Sequence, residues 1–324
     1  MSQNRLIRWL QNTLHHCYPK CSRVHPLNNF PSHGQRKWFV KRDDELSFGI
    51  SGSKYRKYAS LIPYLLKEKI DHVLLVGSAY SNHLVGILQL LNEETIQSTL
   101  YLSETHDQLL QGNRALIQLL IGNGQVHNLS KEQWKHKDTL IPSHLDASSI
   151  YIPEGADMLP ALPGALSLAE DLSRNQIDNQ IYFDHIFIDA GTGLSAIGLL
   201  LGIPFFAIKA HVHIILMAEN ADLFKQKLLG YKAYLEGLLQ TTLYLPSFSL
   251  YNSSIGKAFG STPKTIFKEI QTLAIEEGIL TDPIYSAKLF YSAKDIAAHL
   301  DLKGNLLCIH SGGGLTLSGF LDKL

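Results

Sequence analysis

Apolar residues in this chain fall into short β-branched runs separated by stretches in which they recur every three or four positions. His72–Val76 reads as a buried strand, followed by a Gly/Ser loop at 77–81 and a helix over Asn82–Leu91. Ser98–Ser103 reads as the next strand, and Gly112–Ile121 as a helix with Asn113 near its start. His185–Asp189 is a strand that runs into Ala-Gly-Thr-Gly-Leu-Ser and a helix at Ala196–Leu201, after which Phe205–Ala210 repeats the strand pattern. Pro263–Glu277 is a strongly amphipathic helix, and Asn305–Ile309 a late strand ending in His-Ser-Gly-Gly-Gly. Strands alternating with helices predict an α/β architecture with mainly parallel sheets. Ligands of such sheets sit outside the carboxyl ends of the strands. Three Gly/Ser-rich loops, 77–82, 190–195 and 310–314, each follow a predicted strand, and together they say more than any one Gly-rich turn.

Lys54 stands in Gly-Ile-Ser-Gly-Ser-Lys-Tyr-Arg-Lys-Tyr (49–58), just before a helical pattern in which Tyr55, Ala59 and Ile62 recur. Ser53 is placed to cap that helix. The positive end of the helix dipole disfavours a protonated amine there, and a lysine kept partly neutral is what Schiff-base chemistry with a carbonyl cofactor requires.

The loop at 190–195 enters a helix directly after a strand, so its N–H groups and the helix dipole suit a phosphate, with Thr192 and Ser195 adding hydroxyls. Gly191-x-Gly193-x-x-Ala196 also matches a relaxed dinucleotide pattern, but the following strand ends in Lys209 rather than an acidic residue. Neither this loop nor 49–54 fits a nucleoside-triphosphate loop. Ser81, Asn82 and His83 open a helix, where they either cap it or receive a carboxylate. Pro283-Ile-Tyr285-Ser286-Ala-Lys reads as a turn after a helix that exposes a tyrosine, and Ser311 ends a strand.

At 324 residues, 45% hydrophobic and 18% charged, the chain has the size and composition of a two-lobed enzyme. A net charge of +0 gives no electrostatic case for nucleic acid or an anionic membrane. The most apolar stretch, Ala196–Ile208, is too short to span a bilayer. The first residues lack a hydrophobic signal core, so cytoplasm is the default. Cys17, Cys21 and Cys308 are too scattered for a disulfide framework. His15, His16, Cys17, Cys21 and His25 lack the paired spacings of a zinc site and read as a polar surface turn, so no metal is expected.

In order, these pieces resemble the pyridoxal-phosphate enzymes that group 1-aminocyclopropane-1-carboxylate deaminase with D-cysteine desulfhydrase. The resemblance rests on Lys54, Ser81-Asn82-His83, Thr192-Gly-Leu-Ser195, Thr-Asp-Pro-Ile-Tyr-Ser-Ala-Lys (281–288) and Ile-His-Ser-Gly-Gly (309–313). It spans roughly residues 38 to 320. It implies the fold-type-II architecture (tryptophan synthase β-like), in which two open parallel-sheet lobes hold the cofactor between them. The small lobe would be 51–158, inserted in a large one of 1–50 and 159–324.

By the same resemblance Lys54 would bind the cofactor and shuttle the α-proton, and Asn82 would meet the cofactor's phenolic oxygen. Ser81 and His83 would receive the substrate carboxylate, and Thr192, Gly193, Leu194 and Ser195 would hold the phosphate. Tyr285 would face the substrate or the ring. Ser311 would approach the ring nitrogen, and a hydroxyl partner there leaves that nitrogen largely unprotonated. Phe259 stands at the substrate side, where the family carries a tyrosine thought to assist catalysis. Ser51-Gly-Ser-Lys54 replaces Gly-Gly-Asn-Lys, and Pro153-Glu-Gly-Ala-Asp157 replaces a Gly-Gly-Ser-Asn segment. Ser286 stands where the deaminases carry glutamate, which tilts the match toward D-cysteine desulfhydrase. The implied protein is a homodimeric lyase acting on a small amino acid. Its alternatives are the deaminase, a homologue with reduced or lost turnover, or a nucleotide-dependent oxidoreductase using loop 190–195.

Overall fold

The runs of Val, Leu and Ile pair as sheets and the 3.6-period stretches cover them, as the hydrophobic pattern requires. The computed structural model describes residues 2–15, 17–32, 35–50, 52–105, 109–256 and 258–324. His16 and Ser51 therefore lie outside the described residues. In chain order the strands are β1 (Val24–Pro26), β2 (Arg36–Lys41), β3 (His72–Gly77), β4 (Gln97–Ser103) and β5 (Gln125–Leu129). β6 (Ser149–Ile152), β7 (His185–Ala190), β8 (His211–Leu216), β9 (Phe248–Asn252) and β10 (Gly304–Ile309) follow. The helices begin with α1 (Ser2–Thr13), α2 (Ser53–Lys67), α3 (Asn82–Glu93), α4 (Gly112–Ile121), α5 (Lys131–Lys135) and α6 (Lys137–Leu140). They continue with α7 (Leu162–Asn179), α8 (Leu194–Gly202), α9 (Ala221–Leu239), α10 (Lys264–Glu277) and α11 (Ser286–His299).

Two sheets result, ordered β1-β2-β10-β7-β8-β9 and β5-β4-β3-β6. Every pairing is parallel except β1 with β2. The expected two-lobed α/β architecture is thus present. Parallel pairing carries all the loops after β3, β7 and β10 to the carboxyl edges of the sheets, where the three Gly/Ser-rich segments lie.

The strand expected at Phe205–Ala210 is not one. Ile203–Phe205 forms a 3-10 turn holding Pro204, which has no N–H to give a ladder, and the strand is β8 at His211–Leu216. Its His-Val-His opening disguised it. His185 and His213 face each other across β7 and β8 (Nδ1···Nε2 3.0 Å), and His213 stacks on Phe187 at 4.5 Å.

α2, α7 and α8 pack around glycines. A Cβ on Gly198 of α8 would lie 2.6 Å from Ala165 of α7, and one on Gly164 would lie 1.8 Å from the Arg56 carbonyl oxygen of α2. Where the three helices meet β2, a set of charges is buried. The Arg56 guanidinium donates to both oxygens of Asp43 at 2.7 Å and to Asp171 Oδ2 at 2.6 Å. Lys41 also reaches Asp171 Oδ2 at 2.5 Å and Asn175 Oδ1 at 2.6 Å. Burial works against ionising Asp43, but Arg56 and Lys41 outweigh it and hold the carboxyl below its ordinary range.

No helix is long and apolar enough to cross a membrane among the described residues, and no group of three or more His, Cys, Asp or Glu there is placed to hold a metal ion. Because truncating one partner of a buried ion pair strands the others, Arg56→Met should lower stability by about 3–5 kcal/mol. Denaturant unfolding measures it, and a loss below about 1 kcal/mol would be within the range of an ordinary surface change.

Candidate active site

Lys54 occupies the first turn of α2. The loop before it is stapled to the loop after β10: Ser53 N–H donates to the Ser311 carbonyl at 3.1 Å. Gly52 (φ 58) is required there, since a Cβ would lie 1.8 Å from that carbonyl oxygen. Gly52 is also the residue before the helix, so Ser53 is not the cap expected of it. Its hydroxyl instead accepts from Ser195 Oγ at 3.4 Å, joining the starts of α2 and α8. Burial pushes the Lys54 amine below its ordinary pKa, with Asp189 and Asp282 opposing. The amine lies 5.4 Å from the centre of the Tyr285 ring and makes no hydrogen bond or ion pair among the described residues.

The segment Gly191–Ser195 curls into α8 through Gly193 at φ 91. The N–H groups of the first helical turn therefore open toward the same edge. Close to this loop is Lys57, one turn after Lys54 on α2 and 4% exposed, whose partner Gly155 abuts Thr192. Its amine donates to the Gly155 carbonyl and has no carboxylate within ion-pair distance among the described residues. Burial and then the Lys54 charge bring its pKa down to about 7. A buried cation beside a helix N-terminus is a receptor for an anion. Lys227 closes the flank, donating to the Thr192 carbonyl at 3.2 Å and pairing with Asp157 at 2.6 Å.

Ser81 caps α3, its hydroxyl accepting from the N–H groups of His83 (3.2 Å) and Leu84 (3.3 Å). Asn82 is oriented through its carbonyl: Oδ1 accepts from Asn113 Nδ2 at 2.9 Å and Thr316 Oγ1 at 2.7 Å. Its NH2 has no acceptor among the described residues. His83 is buried against Tyr58, whose hydroxyl lies 2.8 Å from Nδ1, and its Nε2 has no partner among the described residues. Burial, then Lys57 and Lys54, hold the imidazole well below its ordinary pKa, so it is neutral.

Tyr285 is half-buried rather than exposed and precedes α11. Its ring meets Gly191, Lys54 and, edge-on at 6.1 Å, Phe259. Burial, then Asp282 and Asp189, push its phenol up, so it stays a neutral donor. Asp282 is saturated: it accepts from Ile284 N, Tyr285 N, Ser286 N and Ser286 Oγ at 2.8, 2.9, 3.0 and 2.7 Å. Phe259 sits at the rim, 56% exposed.

The structure thus gathers Lys54, Thr192–Ser195, Tyr285 and Ser311 at the carboxyl edge of the large sheet, with Ser81–His83 at that of the small one. Lys57, Asp189 and Asp282 were missed. For Lys57 the signal was its three-residue spacing from Lys54. For Asp282 it was the Asp-x-x-Tyr-Ser cap.

An α/β protein with a half-buried lysine, unpaired among the described residues, between two sheet edges and beside an anion-receiving helix N-terminus is built for a carbonyl cofactor that carries a phosphate. The family model described as pyridoxal-phosphate dependent enzyme matches residues 20–312, and the chain belongs to that family. A bifunctional D-cysteine desulfhydrase/1-aminocyclopropane-1-carboxylate deaminase of Arabidopsis thaliana, named as mitochondrial, is 27% identical over 311 residues, covering 90% of this chain and 75% of that protein. A D-cysteine desulfhydrase of Yersinia pestis is 23% identical over 295 residues, covering 88% of this chain and 89% of the other. The fold is also that of a crystal structure described as an ACC deaminase homologue, with a TM-score of 0.82, 24% identity and 98% of each chain covered.

The donors present fit the cofactor: a cradle at α8, the buried Lys57 cation and the unengaged NH2 of Asn82. Because Lys57 loses its proton near neutrality, affinity of the cofactor-free protein for inorganic phosphate should fall as pH rises through about 7. Lys57→Met should weaken phosphate by on the order of tenfold, the worth of one charge-assisted hydrogen bond, and flatten that pH dependence in calorimetric titrations.

Proposed function

We propose that this pyridoxal-phosphate-dependent enzyme is a lyase that eliminates the β-substituent of a small amino acid, with D-cysteine the best-supported substrate. Pyruvate, ammonia and sulfide are the products. Opening of 1-aminocyclopropane-1-carboxylate is the alternative on the same residues. Both activities appear in the names of relatives that align over most of the chain. The observation that carries the reading is the Lys54 amine, half-buried, depressed in pKa and unpaired among the described residues, beside a neutral Tyr285 phenol.

When bound, the cofactor withdraws electrons from the α-carbon of the amino acid attached to it. Lys54 then takes the α-proton, and its lowered pKa suits it to that part. Thr192–Ser195 and Lys57 hold the phosphate, and Asn82 gives its NH2 to the phenolic oxygen. Ser81 and the start of α3 receive the substrate carboxylate, with His83 supporting that helix end from behind. Tyr285 offers its proton to the departing group, and Ser311 lies against the ring edge.

We take residues 51–158 as the inserted lobe, because β3–β6 form a sheet of their own, and 1–50 with 159–324 as the other. A cytoplasmic homodimer completes the proposal, and light scattering on the purified protein checks the assembly.

Lys54→Ala should abolish the yellow colour of the purified protein and lower keto-acid release from a panel of D- and L-amino acids by at least about 1,000-fold, as for loss of a covalent catalytic group. Undiminished release would sink the assignment.

A second reading, a cofactor-binding protein with reduced turnover, is favoured by Phe259, which brings an apolar ring to Tyr285 where the family tyrosine would bring a hydroxyl. If the missing hydroxyl limits the rate, Phe259→Tyr should raise kcat by about tenfold or more, within the range of a general-acid contribution. An unchanged or lower kcat would remove this reading.

A further inference from the structure

Asp189 ends β7 immediately before the phosphate-binding loop. Its side chain is 9% exposed, and its Oδ1 has no hydrogen-bond partner among the described residues. β10 runs parallel beside β7, with Cys308 opposite Phe187. Two residues further on, the same register brings Asp189 to the edge from which Ser311 projects. Burial raises the pKa of the Asp189 carboxyl, while Ser311 and the Lys54 amine favour its ionised form, so both lie close to it.

The neighbouring acid cannot take the same part. Asp282 has its oxygens occupied by three backbone N–H groups and the Ser286 hydroxyl. Asp189 keeps acceptor capacity inside the site. A buried carboxyl oxygen with no donor is costly, and a donor that arrives with a ligand removes the cost.

The Asp189 Oδ1 that lacks a donor among the described residues decides which ligand atom fits. An ionised carboxyl oxygen there has only lone pairs to offer. A pyridine nitrogen bearing a lone pair would meet lone pairs, whereas a pyridinium N–H would meet acceptors. In pyridoxal phosphate the ring nitrogen is para to the ring carbon bearing the aldehyde that Lys54 would join, so it lies at the opposite ring edge, which Ser311 is proposed to flank.

We propose that Asp189, directly and through Ser311, is the counter-group of the cofactor's ring nitrogen and holds it protonated. Burial raises the carboxyl's proton affinity, so Asp189 enters the encounter able to carry a proton. It then passes that proton to the ring: the carboxyl O–H bond breaks, the ring N–H bond forms, and the pair becomes carboxylate and pyridinium with no change in total charge. A hydroxyl-only partner would leave the nitrogen unprotonated. Asp189 reverses that expectation and gives the site a stronger electron sink.

The inference rests on the proposed placement of Lys54 and Ser311 against the cofactor. It is tested with pyridoxal phosphate carrying 15N at the ring nitrogen, bound to the wild-type protein and to Asp189→Asn. A carbon-for-nitrogen (deaza) analogue of the cofactor is titrated in parallel. The wild-type 15N resonance should lie in the pyridinium range and move to the neutral pyridine range in Asp189→Asn. Wild type should also prefer the cofactor over the deaza analogue by at least about tenfold, the worth of a charge-assisted hydrogen bond, and the variant should lose most of that preference.

A neutral-range resonance in the wild type, with the cofactor trapped on Lys54 by borohydride, overturns this inference and leaves the proposed function standing. Failure to trap the cofactor on Lys54 overturns both. Should Asp189→Asn not fold, the wild-type resonance and preference decide alone.

Discussion

The site depends on a guanidinium buried between two carboxylates. α2 carries both Lys54 and Lys57, yet it begins without a side-chain cap and contains Pro63 in its interior. What holds it is Arg56, clamped by Asp43 in the turn after β2 and Asp171 on α7. Such buried pairs add little net stability over apolar packing, and their value lies in excluding alternatives. Here the alternative is a slip along the helix. One residue of slip would turn the lysine face by about 100°, away from the start of α8. Gly164 closes the same clamp by letting α7 touch the α2 backbone at Arg56.

Fixing α2 in that register aims two helix N-termini at one space, and the consequence is electrostatic. Both dipoles present positive ends, with Lys57 buried and Lys54 half-buried there, so the cofactor-free site favours an anion. Burial lowers the pKa of each lysine, and Lys57 is lowered further by Lys54. An arriving phosphate restores the charge on Lys57, the lysine close to the loop before α8. Lys54 has Asp189 and Asp282 to oppose the effect of burial, and burial prevails, so its pKa stays below the ordinary value. Two lysines one turn apart are thus given different tasks by their surroundings.

The elements that place this machinery were legible because they obey simple periods. β3, β7 and β10 are short apolar runs with Gly-rich exits, and α3, α4 and α10 repeat at helical spacing. β8 was hidden because its alternate positions are histidines, whose stacking on aromatic neighbours makes polar letters behave as apolar surface. Ser53 was read as a cap because a serine before a helical run ordinarily is one. The close approach of Ser311 forced glycine into that position instead. Lys57 and Asp189 escaped for a common reason. A lysine in a helix and an aspartate at a strand end look solvated until tertiary packing removes the water, and no local spacing announces that. Ser286 was legible only as a departure; in the fold its hydroxyl both donates to and accepts from Asp282, which locks the start of α11 and leaves it no free proton for substrate.

That leaves few acids near the reacting atoms, which bears on the choice between the two chemistries. Phe259 supplies no proton, Ser286 is committed to Asp282, and His83 is buried and neutral behind α3. Among the described residues named at this site, the donors left are Tyr285 and a Lys54 that has taken the α-proton. Releasing sulfide from a β-carbon asks little of an acid, because a thiol's leaving group is stable as the anion near neutral pH. Opening a cyclopropane ring is more demanding, because the departing carbon must be protonated as the bond breaks. A site with one phenol and one lysine meets the first demand with a proton to spare, whereas the α-carbon of 1-aminocyclopropane-1-carboxylate carries no hydrogen for Lys54 to take, so the second demand falls on the phenol. The scarcity of proton donors around Tyr285 therefore favours elimination on physical grounds, independent of the names carried by the relatives.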